Sequence, residues 1–370
     1  MSVFERNANT AVRKLRPYIP GPTAGEIRDR YGIPLERIVK LSSNEAPLGP
    51  SPKVREALRR TSEGDELHRY PSSSVPQLRE AIAKMLGIQP DQVLPATGSS
   101  STWPLIVRAF SQAGDTVLWI DPSFTAYAEV AILSEREERP VQVSPPFDVD
   151  ASSIAEAARA GVNIVFLSSP NNTTSRFADP GIVQALAEGA PDAVIVVDEH
   201  YVEAADDFRS RTAVTLVDSI PNLIVTRSFS KMYGLAGLRV GYAIASEEAI
   251  ASLARFRPSW SVSVVAEAAA RAALEDEDHL ERNIHATRTG RAFLNESLGS
   301  MDGVEVAPEP QGGFLLFRPL LRPADEVTEG LYRRGVMVRG DLLEGWIRVS
   351  VGTEDQNTAF LDALNAAVTG

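Results

Sequence analysis

Between residues 75 and 260 the chain repeats one pattern: a short apolar run rich in β-branched residues, then a stretch with helical spacing. The apolar runs fall at 92–96, 116–120, 141–144, 163–168, 193–198, 223–227 and 238–245, and helical patterns stand at 77–86, 101–110, 181–188 and 247–256. A run such as Val194-Ile195-Val196-Val197 does not alternate apolar with polar, so as a strand it is covered on both faces. Strands of that kind interleaved with helices predict an α/β fold with a mainly parallel sheet flanked by helices. The tail changes style. Short strands are expected at 313–317, 336–339 and 346–351 and helices at 324–334 and 354–367, which makes a smaller α+β unit. The acidic stretch 275–278 reads as a solvated helix end.

Composition narrows the partners. With 370 residues, 44% of them hydrophobic, the chain can bury the cores of two domains. A formal net charge of −12 argues against a nucleic-acid surface. There are no cysteines, hence no disulfide framework and no thiolate nucleophile, and the four histidines lack metal-ligand spacing. No metal is expected. No apolar run approaches the roughly 20 residues of a membrane span, so no membrane partner is expected. Residues 1–16 are polar and mixed in charge, which reads as a cytoplasmic protein.

The chemistry concentrates in Ser228-Phe229-Ser230-Lys231-Met232-Tyr233-Gly234-Leu235-Ala236-Gly237-Leu238-Arg239. A lone lysine is usually a solvated cation. Lys231 instead follows two hydroxyls, Ser228 and Ser230, and precedes glycines and Arg239, the donors a phosphate monoester needs. A lysine beside a bound phosphate suits an aldehyde cofactor that carries one: pyridoxal phosphate (PLP), held as a Schiff base. Upstream, the apolar run 194–197 ends in Asp198-Glu199-His200-Tyr201, at the strand end where ligands gather in such folds. Asp198 alone is a helix cap; beside the Lys231 segment it can pair with a protonated pyridinium nitrogen, and Tyr201 can donate to the phenolic oxygen of the ring. Gly98-Ser99-Ser100-Ser101 follows a strand and opens a helix, which makes either an ordinary serine cap or a phosphate turn. Phe124 is either a core aromatic or a flat cover for a pyridine ring.

Further pieces stand in order along nearly the whole chain. They are the run from Leu41 to Pro50 that contains Asn44, then Arg69-Tyr70-Pro71, Thr97-Gly98-Ser99-Ser100, Asp121-Pro122-Ser123-Phe124, Ser168-Ser169-Pro170-Asn171-Asn172, and Trp346-Ile347-Arg348-Val349-Ser350. With the Asp198 and Lys231 segments, these make the chain resemble the aminotransferases of the aspartate aminotransferase fold, and among them most the histidinol-phosphate aminotransferases. The resemblance implies a large PLP-binding domain at 46–275 and a small domain built from 1–45 and 276–370. It implies that Ser99, Ser100, Ser228, Ser230 and Arg239 hold the phosphate, that Phe124 covers the ring, and that Asn172 serves the phenolic oxygen. Tyr70 would reach the phosphate of a partner subunit, making a homodimer with shared sites. Arg348 would meet a substrate carboxylate, Arg339 a substrate phosphate, and Tyr18 and Asn44 would line the same region. The reaction implied moves an amino group between a donor, glutamate, and an oxo acceptor.

Three departures bear on the substrate. Asn172-Thr173-Thr174-Ser175 lacks the proline and glycine of the family's turn, and serine tolerates positive φ poorly. Pro258-Ser259-Trp260-Ser261 brings in an indole where an amide is usual, and His200 replaces a small residue; it is expected to be a packed or exposed neutral histidine. Alternatives stay open: an aromatic amino-acid aminotransferase with Trp260 and Phe124 in an apolar pocket, another PLP reaction such as decarboxylation, elimination or oxidation, and a non-enzymatic binding protein. Intact Lys231, Asp198 and Arg239 weigh against the last.

Overall fold

The computed structural model describes residues 1–15, 21–159 and 161–369. Among the described residues twelve strands carry the architecture: β1 (Val39–Lys40), β2 (Val93–Ala96), β3 (Thr116–Asp121), β4 (Glu137–Gln142), β5 (Val162–Ser168), β6 (Val194–Asp198), β7 (Leu223–Ser228), β8 (Gly241–Ile244), β9 (Val304–Val306), β10 (Phe314–Pro319), β11 (Val336–Met337) and β12 (Ile347–Ser350). Seven of them form one sheet in the order β2-β8-β7-β6-β5-β3-β4. Only β8 runs against its neighbours; the remaining pairs are parallel. The expected mainly parallel sheet is present.

The continuous apolar runs explain why this sheet is covered on both faces. Alternate residues enter two different cores: Leu118, Val165, Ile195, Val197 and Val225 on one side, Val117, Ile164, Phe166, Val196 and Ile224 on the other. Each such buried side chain contributes about 1.5–3 kcal/mol. A further core joins Leu41 to Leu315, Phe317, Ile347, Val349, Phe360 and Leu364, around the antiparallel sheet β12-β10-β9 and the helix Glu354–Thr369. The helix Glu277–Gly299 links the two regions, giving Leu280 and Ile284 to the first core and Leu294 and Leu298 to the last.

Most expected strands shift by one or two residues at their ends, the run at 336–339 pairing only as Val336–Met337, and two differ more. The run at 141–144 pairs earlier, as Glu137–Gln142, because β4 is the edge strand and tolerates Glu137, Glu138 and Pro140. The run at 238–245 pairs only as Gly241–Ile244, since Ala236–Leu238 is a 3-10 turn and Arg239 is left-handed, with φ 54. Among the described residues no helix is long and apolar enough to cross a membrane, and no group of His, Cys, Asp or Glu could hold a metal ion.

Candidate active site

The ends of β2, β3, β5, β6 and β7 open on one cavity of about 330 Å³. Ser99, Ser100, Phe124, Asn172, His200, Tyr201, Ser228, Ser230, Lys231, Arg239, Arg339 and Arg348 all line it. Residues more than 200 positions apart in the sequence therefore share one wall.

Asp198 is fully buried at the last position of β6. Its Oδ2 accepts from the Tyr127 hydroxyl at 2.8 Å and its Oδ1 from the Thr226 hydroxyl at 2.8 Å, while His200 Nδ1 lies 2.7 Å from Oδ2. A carboxylate offers about four acceptor directions, so one remains on Oδ1. Lys231 Nζ donates to the Ser43 carbonyl at 3.0 Å and sits 5.1 Å from the centre of the Tyr201 ring. The Tyr201 hydroxyl accepts from Asn44 Nδ2 at 2.9 Å and Asn172 Nδ2 at 3.0 Å. Burial pushes the phenol up, but the Lys231 charge, the His200 ring when protonated, the Arg348 charge and the Asn44 bond outweigh it and bring the group down to about 8.

A phosphate-sized cradle lies at the other end of the cavity. Arg239 donates to the Ser230 hydroxyl at 3.3 Å, and its guanidinium passes so close to Gly98 that a Cβ there would lie 2.7 Å from Nη2. At Gly241 a Cβ would come within 2.4 Å of the Ser99 backbone nitrogen. The two glycines let the Gly98–Ser101 turn pack closely, Gly98 against Arg239 and Gly241 against the turn's own backbone, with Ser99 and Ser100 on the cavity wall. This arrangement fits a phosphate monoester. Phe124 meets Trp103 edge-on at 5.7 Å, which fixes its ring against the wall.

Arg348, on β12, donates to the Asn172 carbonyl at 2.9 Å and the Ser42 carbonyl at 3.2 Å. Arg339 holds Asp341 with both arms of its fork, at 2.6 and 2.8 Å. The two arginines exchange backbone hydrogen bonds as a cross-strand pair, at 3.0 and 2.7 Å. Asn44 is held by Ser350 from both its backbone nitrogen (2.8 Å) and its side-chain oxygen (2.7 Å).

The unusual turn after β5 keeps its shape by other means. Ser175 adopts φ 65 despite its side chain, and its hydroxyl accepts from the Gly312 backbone at 2.7 Å. The extra N–H of Thr173 donates to Asn171 Oδ1 at 2.9 Å. Asp198 and Asn44 are buried and touch wall residues without lining the cavity themselves, and Tyr70 and Trp260 lie apart from it. Tyr70 is 81% exposed and stacks on half-exposed Trp260 at 4.8 Å; neither lines the cavity of its own chain. Tyr18 lies outside the described residues. Sequence reasoning missed Tyr127, one helical turn beyond Phe124, and left His200 outside the site. His200 lies in the turn that follows β6, and that turn, not strand alternation, brings its ring back to Asp198.

The chain belongs to the class I and II aminotransferase family, whose model matches residues 36–364. It is 39% identical to the histidinol-phosphate aminotransferase of Symbiobacterium thermophilum, over 98% of this chain and 99% of that one. With histidinol-phosphate aminotransferase 2 of Methylococcus capsulatus it shares 38% identity, over 96% of each chain. The crystal structure of histidinol-phosphate aminotransferase from Sinorhizobium meliloti, in complex with pyridoxal-5'-phosphate, has the same fold, with a TM-score of 0.86 at 22% identity over 98% of both chains.

Proposed function

We propose that this aminotransferase works with pyridoxal phosphate, takes its amino group from glutamate, and delivers it to an anionic oxo acceptor, imidazole-acetol phosphate. The observation that carries the reading is the arginine pair. Arg339 and Arg348 lie directly opposite on neighbouring backbone segments and both line the cavity that holds Lys231. Asp341 balances Arg339, and the two guanidinium groups on one wall suit a carboxylate in one half-reaction and a phosphate in the other. The relatives named histidinol-phosphate aminotransferase support the same acceptor.

When bound, the cofactor supplies an aldehyde for the amine and a ring that takes up the electron pair left at Cα. The chain's residues do the rest. Lys231 Nζ would hold the aldehyde carbon and, once released, would take up and give back the substrate Cα proton. Asp198 keeps a proton on the ring nitrogen through its remaining acceptor direction. Tyr201 and Asn172 serve the phenolic oxygen, Phe124 covers the ring, and Ser99, Ser100, Ser228, Ser230 and Arg239 hold the phosphate. Asn44 positions Tyr201. Tyr70, exposed and outside its own cavity, serves the cofactor phosphate of a second copy, so the active unit is a homodimer; Tyr18 joins the same substrate pocket.

Purified protein should turn over imidazole-acetol phosphate with glutamate faster than phenylpyruvate. Robust turnover of phenylpyruvate with none of imidazole-acetol phosphate would move the assignment to an aromatic aminotransferase, and failure with both would point to another reaction on this scaffold.

A further inference from the structure

His200 lines the cavity and has been given no part in the chemistry above. Its buried ring has Nδ1 2.7 Å from Asp198 Oδ2 and Nε2 3.3 Å from Asn172 Nδ2. The protons can be assigned from the surrounding contacts. Asn172 Oδ1 lies 3.3 Å from Arg348 Nη1, which only donates, so that amide atom is the oxygen. Its NH2 then gives one proton to the Tyr201 hydroxyl and aims the other at His200 Nε2. Nε2 accepts, and the ring proton belongs on Nδ1, facing the carboxylate. Nδ1 makes no hydrogen bond of normal geometry, but at 2.7 Å from Asp198 Oδ2 the carboxylate's charge favours a proton on that nitrogen.

We propose that His200, in its neutral Nδ1–H form, is a positioning residue that ties Asp198 to Asn172. The acid serving the ring nitrogen and the amide serving the phenolic oxygen are thereby set as one unit. The chain of contacts continues from Asn172 to Arg348, so it runs from the buried acid to the guanidinium that meets the substrate anion. Titratable groups face the ring from several elements: Asp198, Tyr201 and Lys231, with Glu203 close by. Burial lowers the ring's proton affinity, Asp198 and Tyr201 raise it, and the balance is upward, so a second proton is taken up more readily than by free imidazole. On Nε2 that proton would oppose the Asn172 N–H and part the two halves of the unit. The tie therefore holds best on the alkaline side.

The role rests on the PLP reading, but the tautomer does not, which separates the two tests. In the protein without cofactor at alkaline pH, nitrogen NMR of the histidine rings should find one neutral Nδ1–H ring that disappears in His200→Ala. His279 is distinguishable, because its Nε2 lies 3.0 Å from the Gly49 carbonyl and carries the proton there. A neutral Nε2–H form at His200 would overturn the proposal. In equilibrium dialysis, His200→Ala should bind PLP about tenfold more weakly or worse, the worth of one hydrogen bond to a charged group. His200→Asn places a side-chain donor near the position of Nδ1 and should recover most of that loss. It leaves Asn172 without its acceptor, so kcat should stay low while KM for glutamate rises. Wild-type affinity in His200→Ala, or no recovery in His200→Asn, would refute the role. Wild-type protein that binds no PLP would instead sink the cofactor reading, with the tautomer result standing on its own.

Discussion

Glutamine at position 203 should make this protein more stable, and only above mildly acidic pH. Glu203 sits on the short turn Val202–Ala204 behind Tyr201, is 2% exposed, and its Oε2 has no hydrogen-bond partner. Nearby Arg227 is already bound to Glu199 at 2.9 Å and to the Thr212 hydroxyl at 2.6 Å. Burial pushes the Glu203 carboxyl up from the ordinary 4.5 to about 7, with Arg227 pulling the other way. Below pH 4.5 the folded and unfolded chains both hold the proton. Between 4.5 and 7 only the folded chain does, so the stabilisation from keeping Glu203 protonated is lost as pH rises through that window. At 1.36 kcal/mol per pKa unit, the full loss is about 3 kcal/mol. Glu203→Gln keeps the shape and never ionises, so it escapes the loss. Thermal unfolding of wild type and variant, without cofactor, should nearly coincide at pH 4.5 and separate by several degrees at pH 8, the variant melting later. Parallel pH profiles would refute the reasoning, because every other titrating group is common to both proteins.

Lys231→Ala should lose turnover by several orders of magnitude and fail to bind the cofactor covalently; retention of both by the purified variant would place the chemistry elsewhere. Arg339→Ala removes one charge-assisted contact worth about 1.5–3 kcal/mol, so kcat/KM for imidazole-acetol phosphate should fall roughly ten- to a hundredfold while phenylpyruvate is spared. Its partner Asp341 is half-exposed and is left solvated, so the variant should fold normally. Mixing inactive Tyr70 and Lys231 variants should restore some activity in the mixed dimer, and a fully active monomer at nanomolar concentration would contradict the shared site. In cofactor-free protein one tyrosine should ionise at about pH 8 in an ultraviolet titration and disappear in Tyr201→Phe; its lowered value makes the folded state gain stability as pH climbs from 8 towards 10.

The sheet was legible because its strands are continuous β-branched runs, a signal that depends only on neighbours in sequence. The wall residues from Ser228 to Arg239 were legible for the same reason, since one loop presents them. What could not be read were contacts closed by the fold. Tyr127 reaches Asp198 from another element, and His200 means nothing until Asn172 is brought beside it. The left-handed Arg239 shortened a strand that its apolar sequence extends, because the guanidinium has to reach the Gly98 turn. Ser175 shows the reverse: a residue poorly suited to its φ is held there by the Gly312 N–H, a partner 137 positions away.

The backbone pairing of Arg339 with Arg348 has a geometric consequence. Residues that exchange both backbone hydrogen bonds keep their Cα atoms about 5.5 Å apart. The two guanidinium groups thus hang from a fixed gauge that neither substrate can widen. A donor and an acceptor of different length can differ only in the parts that extend away from this gauge, along a wall to which Leu342 and Thr125 also belong. Choice among acceptors sharing the same anion therefore falls to the rest of the wall, and altering Leu342 or Thr125 should change the preferred acceptor more than the glutamate half-reaction.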